Sequence, residues 1–233
     1  MLSELARAAA VAAMTVLVAA CAASSPQKLA PPAFAASGLA DGGCVSLVIG
    51  AVEKGEDRSG FFDHILVYRR VGSEQRGRWK HHRDPLFEGS PDLREPNLRA
   101  TAQRTCLQAG DYEIFRFELT GNVEGRIDTA AISNDVALRF RVEAGRETYL
   151  GRLVAHGIWK TNFLGLPFPS TATFVIEDAL ERDEAALRTR FPETGAVVRD
   201  VLRPAFSDAP AFVAKSVGAA GALESEGPSA VVD

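Results

Sequence analysis

The chain has little that points to a membrane-spanning helix or to nucleic-acid binding. Its N-terminal apolar segment, residues 8–20, is shorter than the roughly 20 residues that a transmembrane helix needs. The formal net charge is -4 over 233 residues, and no stripe of cations is long enough to displace counterions from a phosphate backbone. We therefore expect neither a helical membrane span in this segment nor nucleic acid as a partner.

The chain also lacks the common sequence motifs of serine catalysis and phosphate binding. It contains no G-x-S-x-G nucleophile motif, and Gly121 and Gly125 lack the Lys-Ser/Thr of a phosphate-binding loop. Neighbouring residues on a strand point to opposite faces, so His81 and His82 would not share one ion there. We predict solvated loop histidines, no metal ion, no cofactor and no catalytic residue. The alternative is a hydrolase with a dispersed site around His81, His82 or His156.

A short motif closes the N-terminal apolar segment. The residues Leu17-Val18-Ala19-Ala20-Cys21 resemble the lipobox of bacterial lipoproteins. The resemblance implies that residues 1–20 are a signal peptide and that Cys21 becomes the N-terminus, carrying diacylglycerol and a further acyl chain such as palmitate. It also implies a periplasm-facing protein anchored in the cell envelope. The alanine after the cysteine, in place of aspartate, favours the outer membrane over the inner one. The alternative is an ordinary secretory signal cleaved near Cys21.

Composition divides the rest of the chain into three parts. Residues 21–43 are rich in Ala, Ser, Pro and Gly, and residues 206–233 have a similar character. Such segments bury too little apolar area to offset the entropy lost on ordering, so we predict a flexible tether and a disordered tail. Residues 44–205 remain as one β-sandwich domain, a usual size for a single domain.

The three cysteines of the chain are an odd number for an exported protein. If Cys21 carries lipid, Cys44 and Cys106 are left to pair with each other in an oxidising compartment. A disulfide between these two residues is therefore the prediction. Two buried free cysteines, which behave as small apolar residues, are the alternative.

Apolar and polar residues alternate through most of the domain, with the period of two that is typical of strands. Residues 136–142 show it most clearly, and the turn after them predicts a hairpin with a strand at 147–156. Residues 45–52 are mostly apolar, which predicts a central strand buried on both faces. Asp178, followed by Glu181, predicts the capping box of one helix. The predicted fold is mainly β: an antiparallel β-sandwich, or a small barrel, with one short C-terminal α-helix.

Two segments share a glycine turn that leads into a tyrosine-bearing strand. They are residues 107–112, LQAGDY, and residues 142–151, VEAGRETYLG. In these segments the domain is similar to uncharacterised bacterial lipoproteins with transthyretin-like or carboxypeptidase-regulatory-like β-sandwiches. The resemblance implies a β-sandwich fold and supplies no catalytic residues.

A basic stretch is the candidate for binding an anionic envelope surface, because each cation near such a surface contributes about 1 kcal/mol. A solvated hairpin face is the alternative. The stretch consists of Arg69, Arg70, Arg76, Arg78, Trp79 and Lys80. The apolar residues 163–168 are expected to plug one end of the sandwich instead of forming a contact site.

These features predict a membrane-anchored cell-envelope lipoprotein that acts as a non-catalytic binding or structural module. The expected partners are the membrane, through the N-terminal lipid, and another envelope protein or an anionic envelope polymer. A periplasmic hydrolase with a dispersed histidine site is the competing hypothesis. The residues themselves do not identify a specific ligand.

Overall fold

The computed structural model describes residues 35–83, 91–123, 126–203 and 212–214. They belong to the second of two units into which the chain divides, Pro32–Asp233; the first unit is Met1–Pro31. The predicted signal peptide, Cys21, and most of the predicted tether and tail therefore lie outside the described residues.

The described residues form eleven strands and one helix. In chain order they are β1 (Gly43–Val52), β2 (Phe61–Arg70), β3 (Arg76–His82), β4 (Leu93–Glu95), β5 (Leu98–Leu107), β6 (Gly110–Val123), β7 (Arg126–Val142), β8 (Glu147–Thr161), β9 (Pro167–Glu177), α1 (Leu180–Arg190), β10 (Val197–Arg199) and β11 (Phe212–Ala214). The predicted fold class, mainly β with one short late helix, is confirmed.

The strands form two sheets that pack on one apolar core. Sheet A has the order β11-β9-β8-β1-β5-β4, and β10 also pairs with β8. Sheet B has the order β3-β2-β6-β7. The core cluster draws residues from both sheets, including Leu47 and Ile49 of sheet A and Leu66 and Phe117 of sheet B. Among the described strands neither sheet closes into a barrel, so the sandwich is the form that the domain takes.

The strand pairing is mixed. Six pairs of described strands are antiparallel, whereas β1·β8, β10·β8 and β11·β9 are parallel. Parallel neighbours need a long crossover connection between them. The chain between β1 and β8 includes all four strands of sheet B. The strand β11 falls within the segment predicted to be a disordered tail.

Strand β1 is buried at every position, as the sequence predicts for a central strand. Leu47 and Ile49 point into the core between the sheets. Val48 and Val52 join a second apolar cluster on the outer face of sheet A, which includes Leu187 of α1. Because both faces are covered, an apolar run without alternation is the expected pattern.

Strands β7 and β8 do not form the predicted hairpin. β7 pairs with β6 in sheet B, and β8 pairs with β1, β9 and β10 in sheet A. The connecting turn bonds to the start of β1: the Gly145 amide donates to the Gly42 carbonyl, and the Cys44 amide donates to the Arg146 carbonyl, each at 2.8 Å. The turn thus carries the chain from one sheet to the other. The hairpin prediction is wrong because alternation identifies a strand and its faces but not its partner.

The predicted capping box of the helix is also wrong. α1 begins after Ala179 without a side-chain cap. Asp178 and Glu181 instead pair with Arg199 of β10, with 3.3 Å between Asp178 Oδ2 and Arg199 Nη1. A nearby cation is a stronger partner for a carboxylate than a backbone amide.

No helix among the described residues is long and apolar enough to cross a bilayer.

The apolar turn between β8 and β9 does not plug the sandwich. Phe163 is 94% exposed, and Leu164 and Leu166 are each more than half exposed. The expectation that residues 163–168 fill one end of the domain is therefore wrong. A set of large apolar side chains in solvent needs a separate explanation.

The predicted disulfide between Cys44 and Cys106 is confirmed. The two residues face each other directly across the antiparallel pair β1·β5. This register brings the two side chains together on one face of sheet A, so the strand pairing itself positions the bridge.

Candidate functional site

A pocket of about 360 Å³ opens on the outer face of sheet A, beside α1. Strand β8 contributes Arg152, Val154 and His156, because alternate residues of a strand share one face. The turn between β4 and β5 forms a second side, and Arg182 of α1 a third. The lining residues are Val52, Glu95, Pro96, Asn97, Leu98, Arg152, Val154, His156, Glu177 and Arg182.

Arg152 contributes to the wall of this pocket although its side chain is almost completely buried. Its Nε donates to Asp183 Oδ1 at 2.9 Å, its Nη2 donates to the same oxygen, and its Nη1 donates to Glu95 Oε1 at 2.7 Å. Tyr149 OH donates to Asp183 Oδ2 at 2.6 Å. The guanidinium is therefore fixed between two carboxylates, and removing either partner would leave a buried charge poorly compensated.

The surroundings keep Arg152 charged and Tyr149 protonated. Burial by itself lowers the pKa of Arg152, but the hydrogen bonds and charges of Asp183 and Glu95 outweigh it and hold that pKa above its ordinary value. Burial, followed by the negative charge of Asp183, raises the pKa of Tyr149 far above its ordinary value. Tyr149 therefore remains a hydrogen-bond donor to Asp183 throughout the physiological pH range.

Other charged groups around the pocket are also paired. His156 Nδ1 lies 2.6 Å from Asp57 Oδ2, and Arg182 Nη2 lies 3.3 Å from Glu177 Oε2. The pocket consequently presents cations beside carboxylates, with hydrogen-bond donors and acceptors together. Such a lining suits a polar ligand that carries donors and acceptors of its own.

Sequence reasoning missed Arg152, Asp183 and Tyr149. One signal was present: Arg152 interrupts the apolar run from Tyr149 to Ala155, which lies within the buried first part of β8. A buried arginine requires a carboxylate partner. Its partner Asp183 lies 31 residues away on a helix, and no local pattern indicates that contact.

The histidines of the predicted loop cluster lie on strand β3. His81 faces His64 of β2 in register, with 5.8 Å between the ring centroids, and both side chains are buried. The expectation of solvated loop histidines is wrong because β3 extends through His82. His82 pairs with Asp63, on the opposite side of the sheet from His81, as strand alternation predicts.

Among the described residues no group of three or more His, Cys, Asp or Glu side chains could hold a metal ion.

A serine and an acid each contact a histidine, but they contact different ones. Ser59 Oγ lies 2.6 Å from His64 Nε2, and both residues are fully buried. Asp63 pairs instead with His82. A catalytic triad needs one imidazole between the serine and the acid. This geometry places a serine–histidine pair inside the core, separate from the histidine–aspartate pair.

Burial makes the two core histidines a source of acid sensitivity. Burial lowers the pKa of His64 well below its ordinary value, and burial together with His82 lowers the pKa of His81 to about 4. Between that pH and 6.5 the unfolded chain binds a proton at His81 that the folded protein does not bind. The free energy of unfolding therefore decreases as the pH is lowered through this window, by about 3 kcal/mol for His81 alone.

We expect His81→Gln to flatten this acid dependence. Urea unfolding of wild type and variant at pH 7 and at about pH 4.5 would measure it, and the difference between the two pH values should shrink by roughly 2 to 3 kcal/mol. His156→Gln is the control, because it removes a histidine near the surface instead of one in the core. Equal acid sensitivity of His81→Gln and wild type would contradict the prediction.

Trp79 does not belong to a surface patch. Its side chain is buried in the core, stacks on Tyr68 at a centroid distance of 4.1 Å, and donates from Nε1 to Thr105 Oγ1 at 2.8 Å. The sequence-based placement of Trp79 among surface-binding residues is therefore wrong. On a half-buried strand an aromatic residue at this position faces inward.

The cations of the same stretch lie on sheet B, and two of them are paired with carboxylates. Arg69 Nε lies 2.8 Å from Glu113 Oε1, and Lys80 Nζ lies 3.1 Å from Asp63 Oδ1. Neutralised cations contribute less to an anionic contact than free ones. A surface-binding role stays a prediction for Arg69, Arg70, Arg76, Arg78 and Lys80.

Comparison with known proteins leaves the site as the guide to function. A scan against protein-family models, a search of curated proteins and a search of solved structures each found no match to this chain. The resemblances to bacterial lipoproteins and to β-sandwich lipoprotein domains stay predictions. A fold does not by itself specify an activity, whereas the geometry of a site limits what can bind there.

Proposed function

We propose that the protein is a membrane-anchored cell-envelope lipoprotein whose β-sandwich is a non-catalytic binding module, with its ligand held in the pocket beside Arg152. The observation that carries this proposal is the fixed guanidinium of Arg152 at the wall of a pocket of about 360 Å³. Binding sites are characteristically preformed concavities in which a few placed polar groups orient the ligand. The arginine is held in place before any ligand arrives.

Cysteine usage supports the lipid anchor. The bond between Cys44 and Cys106 uses two of the three cysteines and leaves Cys21 available for lipid. Disulfides persist in oxidising compartments such as the bacterial periplasm. The lipobox residues and the disulfide therefore favour the same location.

The charges around the pocket favour a polar ligand over an apolar one or a simple anion. Arg152 and Arg182 lie beside Glu95 and Glu177, so a bare anion would meet carboxylates as well as cations. A glycan or peptide segment of an envelope polymer carries both donors and acceptors and can satisfy both kinds of partner.

A photo-cross-linking amino acid at Asn97 tests the pocket in intact cells. Asn97 lines the pocket from an exposed turn, so we expect it to capture a glycan- or peptide-containing molecule. Arg182→Glu should lower the yield about tenfold, because it places like charges together in the pocket.

Arg188→Glu is the matched control. Arg188 lies on the same helix, its side chain is 58% exposed against 59% for Arg182, and it too pairs with one glutamate. It does not line the pocket. Equal losses in the two variants, or capture that neither variant affects, would rule out the pocket as the binding site.

Mass measurement of the mature N-terminus tests the anchor. The proposal requires a terminal Cys21 that carries diacylglycerol, and Cys21→Ser should release the protein from membranes. An unmodified terminus beyond Cys21 would contradict the anchor and leave the pocket proposal unaffected.

The hydrolase hypothesis has one observation in its favour, the Ser59–His64 pair with 2.6 Å between Oγ and Nε2. A histidine base within hydrogen-bond distance of a serine is a requirement of serine catalysis. A fluorophosphonate that labels activated serines distinguishes the two functions. Labelling of Ser59 that disappears in His64→Gln would establish the hydrolase; we expect no labelling, because both side chains are fully buried.

A further inference from the structure

The turn between β8 and β9 presents three large apolar side chains to solvent. Phe163, Leu164 and Leu166 lie at its end. We call residues 162–168 the apolar tip. Exposed apolar groups of this size on one turn are characteristic of a surface that contacts another apolar phase.

The apolar tip stands clear of the rest of sheet A. Ala51, near the end of β1, faces Ala155 of β8, and β8 then continues to Thr161. β1 ends one residue later, at Val52, so the ribbon formed by β8 and β9 extends past β1 by five residues, or about 17 Å. The chain enters sheet A at Gly43, so the tip lies at the opposite end of the sheet from that entry.

Four backbone amides of the tip donate hydrogen bonds to acceptors within it. Asn162 Oδ1 accepts from the Leu164 amide at 2.9 Å and from the Leu166 amide at 3.0 Å. The Gly165 amide donates to the Asn162 carbonyl at 2.9 Å, and the Asn162 amide donates to the Leu166 carbonyl at 3.0 Å. Unsatisfied backbone groups are what normally keep an irregular turn out of hydrocarbon. This turn lowers that cost before it meets a membrane.

An aromatic residue and two cations surround the base of the tip. Trp159 donates from Nε1 to the Arg58 carbonyl at 2.8 Å, and the Arg58 guanidinium lies 4.5 Å from the centre of the Trp159 ring. Lys160 is exposed on the next position of β8. The sequence has no Asp or Glu from residue 157 to residue 176, and Asp57, which precedes Arg58, is paired with His156. Tryptophan and cations below an apolar end match the layers of a membrane interface.

We propose that the apolar tip inserts into the headgroup and outer acyl region of an anionic lipid bilayer, with Arg58 and Lys160 at the level of the headgroups. The inference does not rest on lipidation of Cys21. A protein partner fits these residues less well, because a stable protein–protein interface takes roughly 20 to 30 residues on each side. Three apolar side chains on a projecting turn form a wedge instead of an interface of that size.

Vesicle binding of the full chain carrying Cys21→Ser tests the insertion. The vesicles contain phosphatidylcholine with about one-third phosphatidylglycerol, and pure phosphatidylcholine vesicles serve for comparison. Phe163→Ser with Leu164→Ser should weaken binding to the anionic vesicles at least about tenfold. Every variant carries the same N-terminal segment, so differences between variants report on the tip alone.

Val71→Ser is the matched control. Val71 is an apolar residue that is 46% exposed in the turn after β2, away from the ribbon. The Val71→Ser variant should bind vesicles as strongly as the chain that carries Cys21→Ser alone. Replacing Arg58 and Lys160 by glutamine should weaken binding to the anionic vesicles by about fivefold for each cation and leave binding to neutral vesicles unchanged.

The depth of the tip is measured with tryptophan at position 163. Emission of Phe163→Trp should be quenched by lipids brominated in their acyl chains, whereas Val71→Trp in the parallel experiment should not. Equal vesicle binding with and without the tip side chains would overturn the proposal. So would a tip variant that keeps its vesicle binding but loses a bound protein partner, because the tip would then be a protein-docking element.

Discussion

Replacing Asp183 by alanine is expected to lower the free energy of unfolding by about 4 kcal/mol. Asp183 and Arg152 are both fully buried, and the substitution leaves Arg152 with Glu95 as its one carboxylate partner among the contacts described above. It also removes the acceptor of the Tyr149 hydroxyl. A buried donor without an acceptor adds to the cost. Urea unfolding at pH 7 measures the loss directly.

Glu184→Ala is the control for this substitution. Glu184 is the next residue of α1, its side chain is 47% exposed, and it pairs with Arg188 at 2.7 Å. An exposed pair of this kind contributes less than about 1 kcal/mol. Arg152→Met combined with Asp183→Leu should regain part of the lost stability, because it removes the buried charge of Arg152 and leaves Glu95, whose side chain is 37% exposed, accessible to water. The Tyr149 hydroxyl still lacks its acceptor, so the recovery should be incomplete. Similar losses in Asp183→Ala and Glu184→Ala would contradict the role assigned to the buried pair.

The buried pair of Arg152 and Asp183 lies beside the pocket. Well-packed apolar residues in place of a buried ion pair are often as stabilising or more so. Stability alone therefore does not account for Arg152 and Asp183. A fixed guanidinium at the wall of a pocket does account for them if the pocket binds a polar ligand, and this supports the binding proposal.

Two features of the domain, the central strand β1 and the disulfide, could be predicted from the sequence. The unbroken apolar run of β1 indicated a strand covered on both faces, and its burial agrees at every position. The count of three cysteines led to the bridge between Cys44 and Cys106. Each of these inferences depends on the pattern of a short segment, or on a count, and needs no knowledge of which strands are neighbours.

The partners of the strands could not be predicted in the same way. The alternation in β7 and the turn after it are correct, yet β8 joins the other sheet because the turn bonds to residues 42–44. A period of two is the same whether the next strand pairs with this one or crosses to the facing sheet. Topology is decided by contacts between segments that are distant in the chain.

The candidate site depends entirely on such contacts. Arg152 meets Asp183 across 31 residues and Glu95 across 57 residues. Six elements, β1, β4, β5, β8, β9 and α1, contribute residues to the pocket. Of the three histidines that the sequence offered as a dispersed site, His156 lines the pocket, whereas His81 and His82 lie on β3. Burial and strand register, and not adjacency in the chain, decide which side chains meet.

Removing the disulfide is the second substitution with a large expected effect. The bridge closes a segment of 62 residues between β1 and β5. On the chain-entropy model a closed loop of this length restricts the unfolded chain by about 4 kcal/mol. We expect Cys44→Ala with Cys106→Ala to lower the free energy of unfolding by about that amount in urea unfolding under oxidising conditions.

Cys21→Ser supplies the control, because it removes a cysteine and leaves the bridge intact. The unfolding of this variant should match that of the wild-type domain, and adding a reductant in urea should destabilise it as much as the double alanine substitution does. The reductant should have no further effect on the double variant. If the bridged and unbridged proteins differed by less than about 1 kcal/mol, the unfolded chain would already be restricted by other contacts, and loop closure would not be the source of the stability.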